Sequence, residues 1–241
     1  MDINTRPYIV LNGKHSRSIL GLLISELPPI TKPKIRTQIE TVDGRDGDIV
    51  TPLGFSAYNK TLKIGLTYNY DIDEVIDYFN SEGKVIFSNE PDKYYRYAIY
   101  DQIDFDKLIR FKEAEVNFHV QPFKFSEAEM LKTFNFTNAS SGSLVIRNNG
   151  NIYSRPTIAF YGSGIVNITL NGLQLLSLDM SSNQVIIIDS EAMNALAPSG
   201  ILLNRLVTGD YDKIQLKVGN NTIGFTGSVT KIEISNYSRW I

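Results

Sequence analysis

The stretch VDGRDGDIV, residues 42–50, concentrates three aspartates, one arginine and two glycines. These residue types build cation loops, phosphate loops and tight turns. A calcium loop of the EF-hand kind needs oxygen ligands at positions 1, 3 and 5, glycine at 6 and glutamate at 12. Counted from Asp43, position 3 is Arg45; counted from Asp46, position 5 is Val50. Neither register holds a cation. The stretch also lacks the Gly-x-x-x-x-Gly-Lys spacing and the following helix of a phosphate loop. What remains is a glycine-permitted polar loop between two strands, Asp43, Gly44, Arg45, Asp46, Gly47 and Asp48, carrying charges of both signs.

Other candidate chemistry is sparse. Glu113 and Glu115 alternate on one strand face, about 6.5–7 Å apart by strand rise, within the range of a glycosidase carboxylate pair. Any alternating charged strand gives the same spacing. His119 follows on that face and reads as a surface or interface histidine. The chain has no cysteine and only two histidines, His15 and His119. That removes thiolate metal sites, cysteine nucleophiles and disulfides, and leaves no histidine-rich zinc site. The run YYRYAIY supplies Tyr94, Tyr95, Arg96 and Tyr97, types enriched in protein interfaces, although alternation also places Tyr95 and Tyr97 with Ile99 on one inward face. Trp240, the only tryptophan, is expected to pack and tie down the chain end. No catalytic residue, metal ligand or cofactor site is assigned, and the chain reads as a structural or binding protein rather than an enzyme.

The elements that would position these residues are mostly strands. TLKIGLTYNY alternates Leu62, Ile64, Leu66, Tyr68 and Tyr70 with polar residues, the period of a half-buried strand. DIDEVIDYFNSEGK places Asp71 as N-cap, Glu74 three residues on, and Ile72, Val75, Ile76 and Phe79 at helical spacing. A helix is predicted over about 71–83, stopped by Gly83. EAEVNFHVQPF sends Ala114, Val116, Phe118 and Val120 inward. Further on, Val166, Ile168 and Leu170 lead to an Asn171-Gly172 turn, after which Leu173 and Leu175 resume. Ile214, Leu216 and Val218 lead to a Gly-Asn-Asn turn before Ile223 and Phe225.

Charge divides the chain. Residues 1–135 hold 17 Lys/Arg and 20 Asp/Glu, whereas residues 136–241 hold only 7 and 6. The junction FNFTNASSGSLVIRNNG is rich in Asn, Ser and Gly, which suits an exposed linker or first turn. Two domains are expected, 1–137 as α+β with one helix and 138–241 as an antiparallel β-sandwich, with the extreme C-terminus able to pack back on the first. The net charge of −2 gives no reason to expect a nucleic-acid or membrane-surface binder. No apolar run reaches the roughly 18 residues of a membrane helix, and no secretory leader is expected at the start.

The order of features resembles one family across essentially the whole chain. An LNG strand, the GRDGD loop, an alternating strand and a helix ending in SEGKVIFSNEPDKYYRY come first. NFHVQPFKF, IRNNGNIYSRPTIAFYGSGIVNITLNG, IIIDSEAM, LKVGNNTIGFTGSVTKIEI and a terminal RWI follow. Gly44-Arg45-Asp46-Gly47, the segment from Asn149 through Pro156 to Gly164, and Ile188-Asp189-Ser190-Glu191 carry it most. The pattern resembles the distal tail protein (Dit) family of long-tailed phages of Gram-positive bacteria. The resemblance implies a mainly β structural protein of the virion tail tip or baseplate. Its N-terminal domain would form a hexameric ring with other copies of itself, and its C-terminal domain would be galectin-like and project outward. The implied partners are the tail tube protein, the tape-measure protein, a tail-associated tip protein and receptor-binding or baseplate proteins, with DNA only in transit through the channel and no membrane insertion. No sugar site is evident in the second half, so protein docking is preferred there; a stand-alone carbohydrate-binding module is the alternative reading. The charged loop 43–48 and the aromatic run 94–97 are the expected subunit-interface residues.

Overall fold

A computed structural model describes residues 6–241, apart from the side chain of Asn138. The first five residues of the expected N-terminal domain lie outside it. The chain is mostly β and separates into two compact units, one running to Glu127 and the other Ala128–Trp240.

The first unit is built on a seven-stranded sheet. Its strands in chain order are β1 (Ile9–Leu11), β2 (Lys14–His15), β3 (Leu22–Glu26), β6 (Tyr58–Leu66), β7 (Gly83–Phe87), β8 (Lys93–Ala98) and β9 (Glu113–Ser126), with β4 (Ile35–Thr41) and β5 (Asp48–Phe55) forming a separate two-stranded ribbon. The sheet order is β2-β1-β7-β8-β9-β6-β3. Ala114, Val116, Phe118 and Val120 of β9 are buried beside Leu62 and Ile64 of β6, because alternation turns every second side chain to one face. The expected strand through Tyr70 stops at Leu66, and Tyr68 is fully exposed.

Helix α1 (Ile72–Phe79) starts as its sequence predicts: the Asp71 carboxylate accepts the backbone N–H groups of Asp73 and Glu74. These are two of the donors that a helix start leaves unpaired. It ends at Phe79, four residues short of Gly83, which instead opens β7. A second helix, α2 (Phe105–Phe111), is capped by Asp104. The single-helix expectation missed it because seven residues carry barely two turns of periodic signal.

The second unit is one curled antiparallel network around its own core. It comprises β10 (Lys132–Asn148), β11 (Thr157–Leu170), β12 (Leu173–Asp179), β13 (Val185–Asp189), β14 (Asn194–Leu196), β15 (Val207–Gly209) and β16 (Gly219–Ser235). The order is β10-β16-β11-β12-β15, with β13 joining β11 and β14 joining β13. Register shifts near Gly162 and between Asn135 and Ser141 bend the long strands, as bulges do. The Asn/Ser/Gly-rich stretch read as a linker therefore lies inside β10, where β16 supplies its hydrogen-bond partners. The β11–β12 turn has Asn171 and Gly172 at positive φ, 51° and 86°, as its sequence requires. A bulge between Ile168 and Thr169 puts Leu173 outside while Leu175 and Leu176 are buried. The expected strand 214–218 is instead irregular chain after a 3-10 turn at Tyr211–Lys213, with a single bridge between Ser154 and Leu216. Asn221 causes the difference. Its buried amide donates to the Lys217 and Gly219 carbonyls and accepts the Lys217 N–H, so Val218 is turned outward and pairing begins at Gly219.

Candidate assembly surfaces

The charged loop caps the β4–β5 ribbon, and the ribbon stands apart from the sheet. Gly44 and Gly47 have φ of 81° and 77°, a backbone that a side chain would strain, so the loop reverses direction where the glycines fall. Every residue of β4 is exposed. Direct cross-strand partners share a face, which groups Ile35 with Phe55, Thr37 with Pro52 and Ile39 with Val50. The opposite face carries Arg36, Gln38 and Glu40. The ribbon is thus amphipathic like any core hairpin, yet Ile39 is 60% exposed and Val50 54%. Seven residues at strand rise give an arm of about 23 Å.

The base of this arm is firmly held. The Ser56 N–H donates to the Lys34 carbonyl at 2.9 Å, and Phe55 meets Phe123 edge-on at 5.3 Å. The approach segment is held by side chains of the sheet: the Lys60 ammonium donates to the Pro29 carbonyl at 2.7 Å, and Asn89 to the Pro28 carbonyl at 3.0 Å. Lys60 shares its buried place with Tyr95, Glu90 and Lys124. Lys124 pairs with Glu90 at 2.7 Å, and the Tyr95 hydroxyl donates to the other Glu90 oxygen at 2.6 Å. Burial pulls the Lys60 pKa down to about 8, against the pull of Glu90 and with a smaller push from Lys124. Sequence reading passed over Lys60, although it sits in phase with Leu62 and Ile64, which is the signal that would have found it.

The aromatic run is mostly spoken for within the subunit. Tyr95 and Tyr97 are core residues, and Tyr97 packs on Phe118 and meets the Ser81 hydroxyl at 2.6 Å. Tyr94 is also buried, stacked on Phe125 at 5.5 Å. The three tyrosines therefore have little surface to offer a neighbour: alternation puts Tyr95 and Tyr97 on the core face, and Tyr94, on the other face, is covered by Phe125. Arg96 alone stays half-exposed, over the Phe125 ring. Glu113 and Glu115 are exposed, opposite Gly65 and Lys63. His119 lies half-buried beside Asn59 at 3.0 Å and Tyr100. No group of three His, Asp or Glu placed to hold a metal ion occurs among the described residues, and no described helix is long and apolar enough to cross a membrane.

The second unit gathers the remaining motif residues into one polar knot. Arg239 is buried, donating to the Tyr153 carbonyl at 2.6 Å and pairing with Glu191 at 2.8 Å, its guanidinium over the Tyr153 ring. Ser154 donates to the Tyr237 carbonyl, and Ser238 accepts the Asn149 N–H. A Cβ on Gly150 would fall 1.9 Å from the Arg239 carbonyl oxygen, so only glycine fits. The Asp189 carboxylate accepts the N–H groups of Glu191 and Ala192, which sets the turn that delivers Glu191. Asn149–Arg155, Asp189–Glu191 and the terminal segment are thus one structure, distant in sequence and joined in space. Trp240 is half-buried at its end.

Residues 18–120 match the phage tail protein RIFT-related domain family. No curated protein matches the chain significantly in sequence. Among solved structures, the chain is similar to the SPP1 Dit protein, described as a paradigm of the hub adsorption apparatus in phages that infect Gram-positive bacteria. The identity is 18%, the TM-score 0.64, and the match covers 98% of this chain and 99% of the other. It is also similar to a chain of the phage P2 baseplate in its activated conformation with Ca, at 8% identity and a TM-score of 0.51, over 95% of this chain and 97% of that one. These matches give the chain the fold of the distal tail, or Dit, proteins.

Proposed function

We propose that this protein is the distal tail hub of a siphovirus-type virion, a structural rather than catalytic part. Six copies close a ring through their first units. The ring joins the tail tube to the tip and lines the channel through which tape-measure protein and then DNA leave. The second unit, in the role of a galectin-like domain, projects outward and carries receptor-binding or baseplate proteins. The observation that carries this reading is the β4–β5 arm. An isolated two-stranded ribbon is marginal in water, and an apolar ribbon face with no core beneath it requires a partner. A head-to-tail contact in which each copy's arm lies on its neighbour closes into a ring when the rotation closes. The loop Asp43–Asp48 sets the register of that contact, since charge complementarity selects partner and register more than it adds affinity. The likeness to the SPP1 hub protein supports the same reading.

The test is electron microscopy of the purified chain, alone and mixed with the tail tube and tip proteins of the same phage. Six-fold rings with a central opening are expected in at least one preparation. Particles of any other symmetry in both would contradict the proposal.

A further inference from the structure

The first unit has another surface with unspent charge, an open cleft of about 520 Å³ on the β7–β8–β9 face. Glu82, Lys84, Arg96, Tyr100, His119 and Gln121 line it. Lys84 and Arg96 sit directly opposite each other across β7 and β8. Like charges in that relation destabilise a sheet. Both are nevertheless held in place by aromatic rings, Lys84 over Tyr94 at 4.5 Å and Arg96 over Phe125 at 4.7 Å. The two rings stack on each other. Among the described residues neither cation has a carboxylate within ion-pairing distance. A costly pair of pinned, unpaired cations fits an anionic occupant from outside the subunit.

The chain itself offers one of matching sign pattern. The cleft presents two cations and a histidine with one carboxylate, Glu82. The arm tip presents three aspartates with one cation, Arg45. We infer that the cleft of one copy receives the arm tip of a second copy, with Asp43, Asp46 or Asp48 against Lys84 and Arg96, and Arg45 against Glu82. This rests on the reading of the arm as a subunit contact and names the surface on which it lands.

The absence of native cysteine makes the test direct. An Asp46→Cys chain is mixed with a Gln121→Cys chain and oxidised, and the mixed disulfide is followed on a non-reducing gel. The inference expects a mixed dimer well above either homodimer, and its loss when Lys84→Asp and Arg96→Asp are added to the Gln121→Cys chain. Sedimentation supplies the second measurement. Asp43→Lys with Asp46→Lys, or Lys84→Asp with Arg96→Asp, each weaken assembly by about tenfold in dissociation constant, and the two sets in one chain restore it, as complementary charge should. Absence of the mixed disulfide at millimolar protein overturns the inference whether or not the chain assembles. If assembly then still depends on the arm, the arm contact stands and only its landing site is wrong; if deleting the arm leaves assembly intact, the reading beneath it fails as well. Should Lys84→Asp with Arg96→Asp instead abolish duplex DNA binding while no mixed disulfide forms, the cleft serves nucleic acid and the inference is again overturned.

Discussion

Two hairpins in this chain share a plan and differ in what lies beneath them. In β11–β12, Val166, Ile168, Leu176 and Leu178 point into a closed core. In β4–β5, Ile35, Ile39 and Val50 alternate in the same way and point into solvent. Both ribbons turn through glycine at positive φ. Alternation therefore states that a face will be covered, not by what. For β11–β12 the cover is the same unit. For β4–β5, among the described residues, Phe123 meets Phe55 at the base and Ile39 and Val50 stay exposed, which is why the arm, rather than any catalytic constellation, is the part of this molecule that asks for a function.

The contrast predicts opposite responses to mutation. Phe225 is buried against Phe136, so Phe225→Ala should cost about 3–5 kcal/mol, the usual range for emptying a large core side chain. Ile39→Ala on the arm should change the stability of the isolated subunit by less than about 0.5 kcal/mol, as surface changes do. Urea unfolding of both variants measures the difference. Equal losses would mean that the arm is packed in the subunit and the comparison fails.

Next in size is a pH effect at the arm's base. Burial lowers the folded pKa of Lys60 to about 8 from an ordinary 10.5, so the unfolded chain binds the proton more tightly. Below pH 8 the ammonium is charged in both states and burial is a constant penalty. Between pH 8 and 10.5 the folded protein has lost that proton while the unfolded chain keeps it, so stability rises with pH across the window, by up to about 3 kcal/mol. Above pH 10 the trend reverses, because burial raises the pKa of Tyr95 and Tyr78 and the unfolded tyrosines ionise first. Wild type should therefore gain stability from pH 8 to 10 in urea titrations, and Lys60→Met should not. A wild-type profile that is flat or falling over that interval would contradict the assignment.

A smaller effect is expected from the cap of α1. Asp71→Ala removes the acceptor for two backbone N–H groups and should cost about 1 kcal/mol in unfolding free energy. Smaller still per site is Arg45→Glu at the arm tip. Exposed pairs contribute about 1 kcal/mol or less, so the subunit's unfolding should be unchanged. Six such contacts in the proposed ring should still shift assembly visibly in sedimentation, and less so in high salt, because exposed charges are screened.

What could be read from the sequence was local. The α1 start at Asp71 and the Asn171-Gly172 turn follow from a few neighbouring residues, and the β9 face follows from strict alternation. What could not be read depends on partners far along the chain. The 135–142 stretch looks like a linker by composition and is a strand because β16 pairs with it. The bend at Asn221 depends on one buried amide. The inward face of Tyr95 and Tyr97 was legible from alternation, whereas the burial of Tyr94 on the other face was not, because its cover is Phe125 of a neighbouring strand. Loop 43–48 was legible as a charged turn, whereas the free-standing ribbon beneath it was not, because exposed and buried alternation look alike in sequence.

The central claim is that the apolar face of the arm is covered by another copy of the chain. Sedimentation of wild type against Ile39→Asp with Val50→Asp, with near-UV circular dichroism checking that the subunit stays folded, tests it most directly. The account predicts a hexamer for wild type and a folded monomer for the variant, with equal urea midpoints for the isolated subunits. A folded variant that assembles with the wild-type dissociation constant, or a wild type that shows no self-association either alone or with the tail tube and tip proteins, would contradict it.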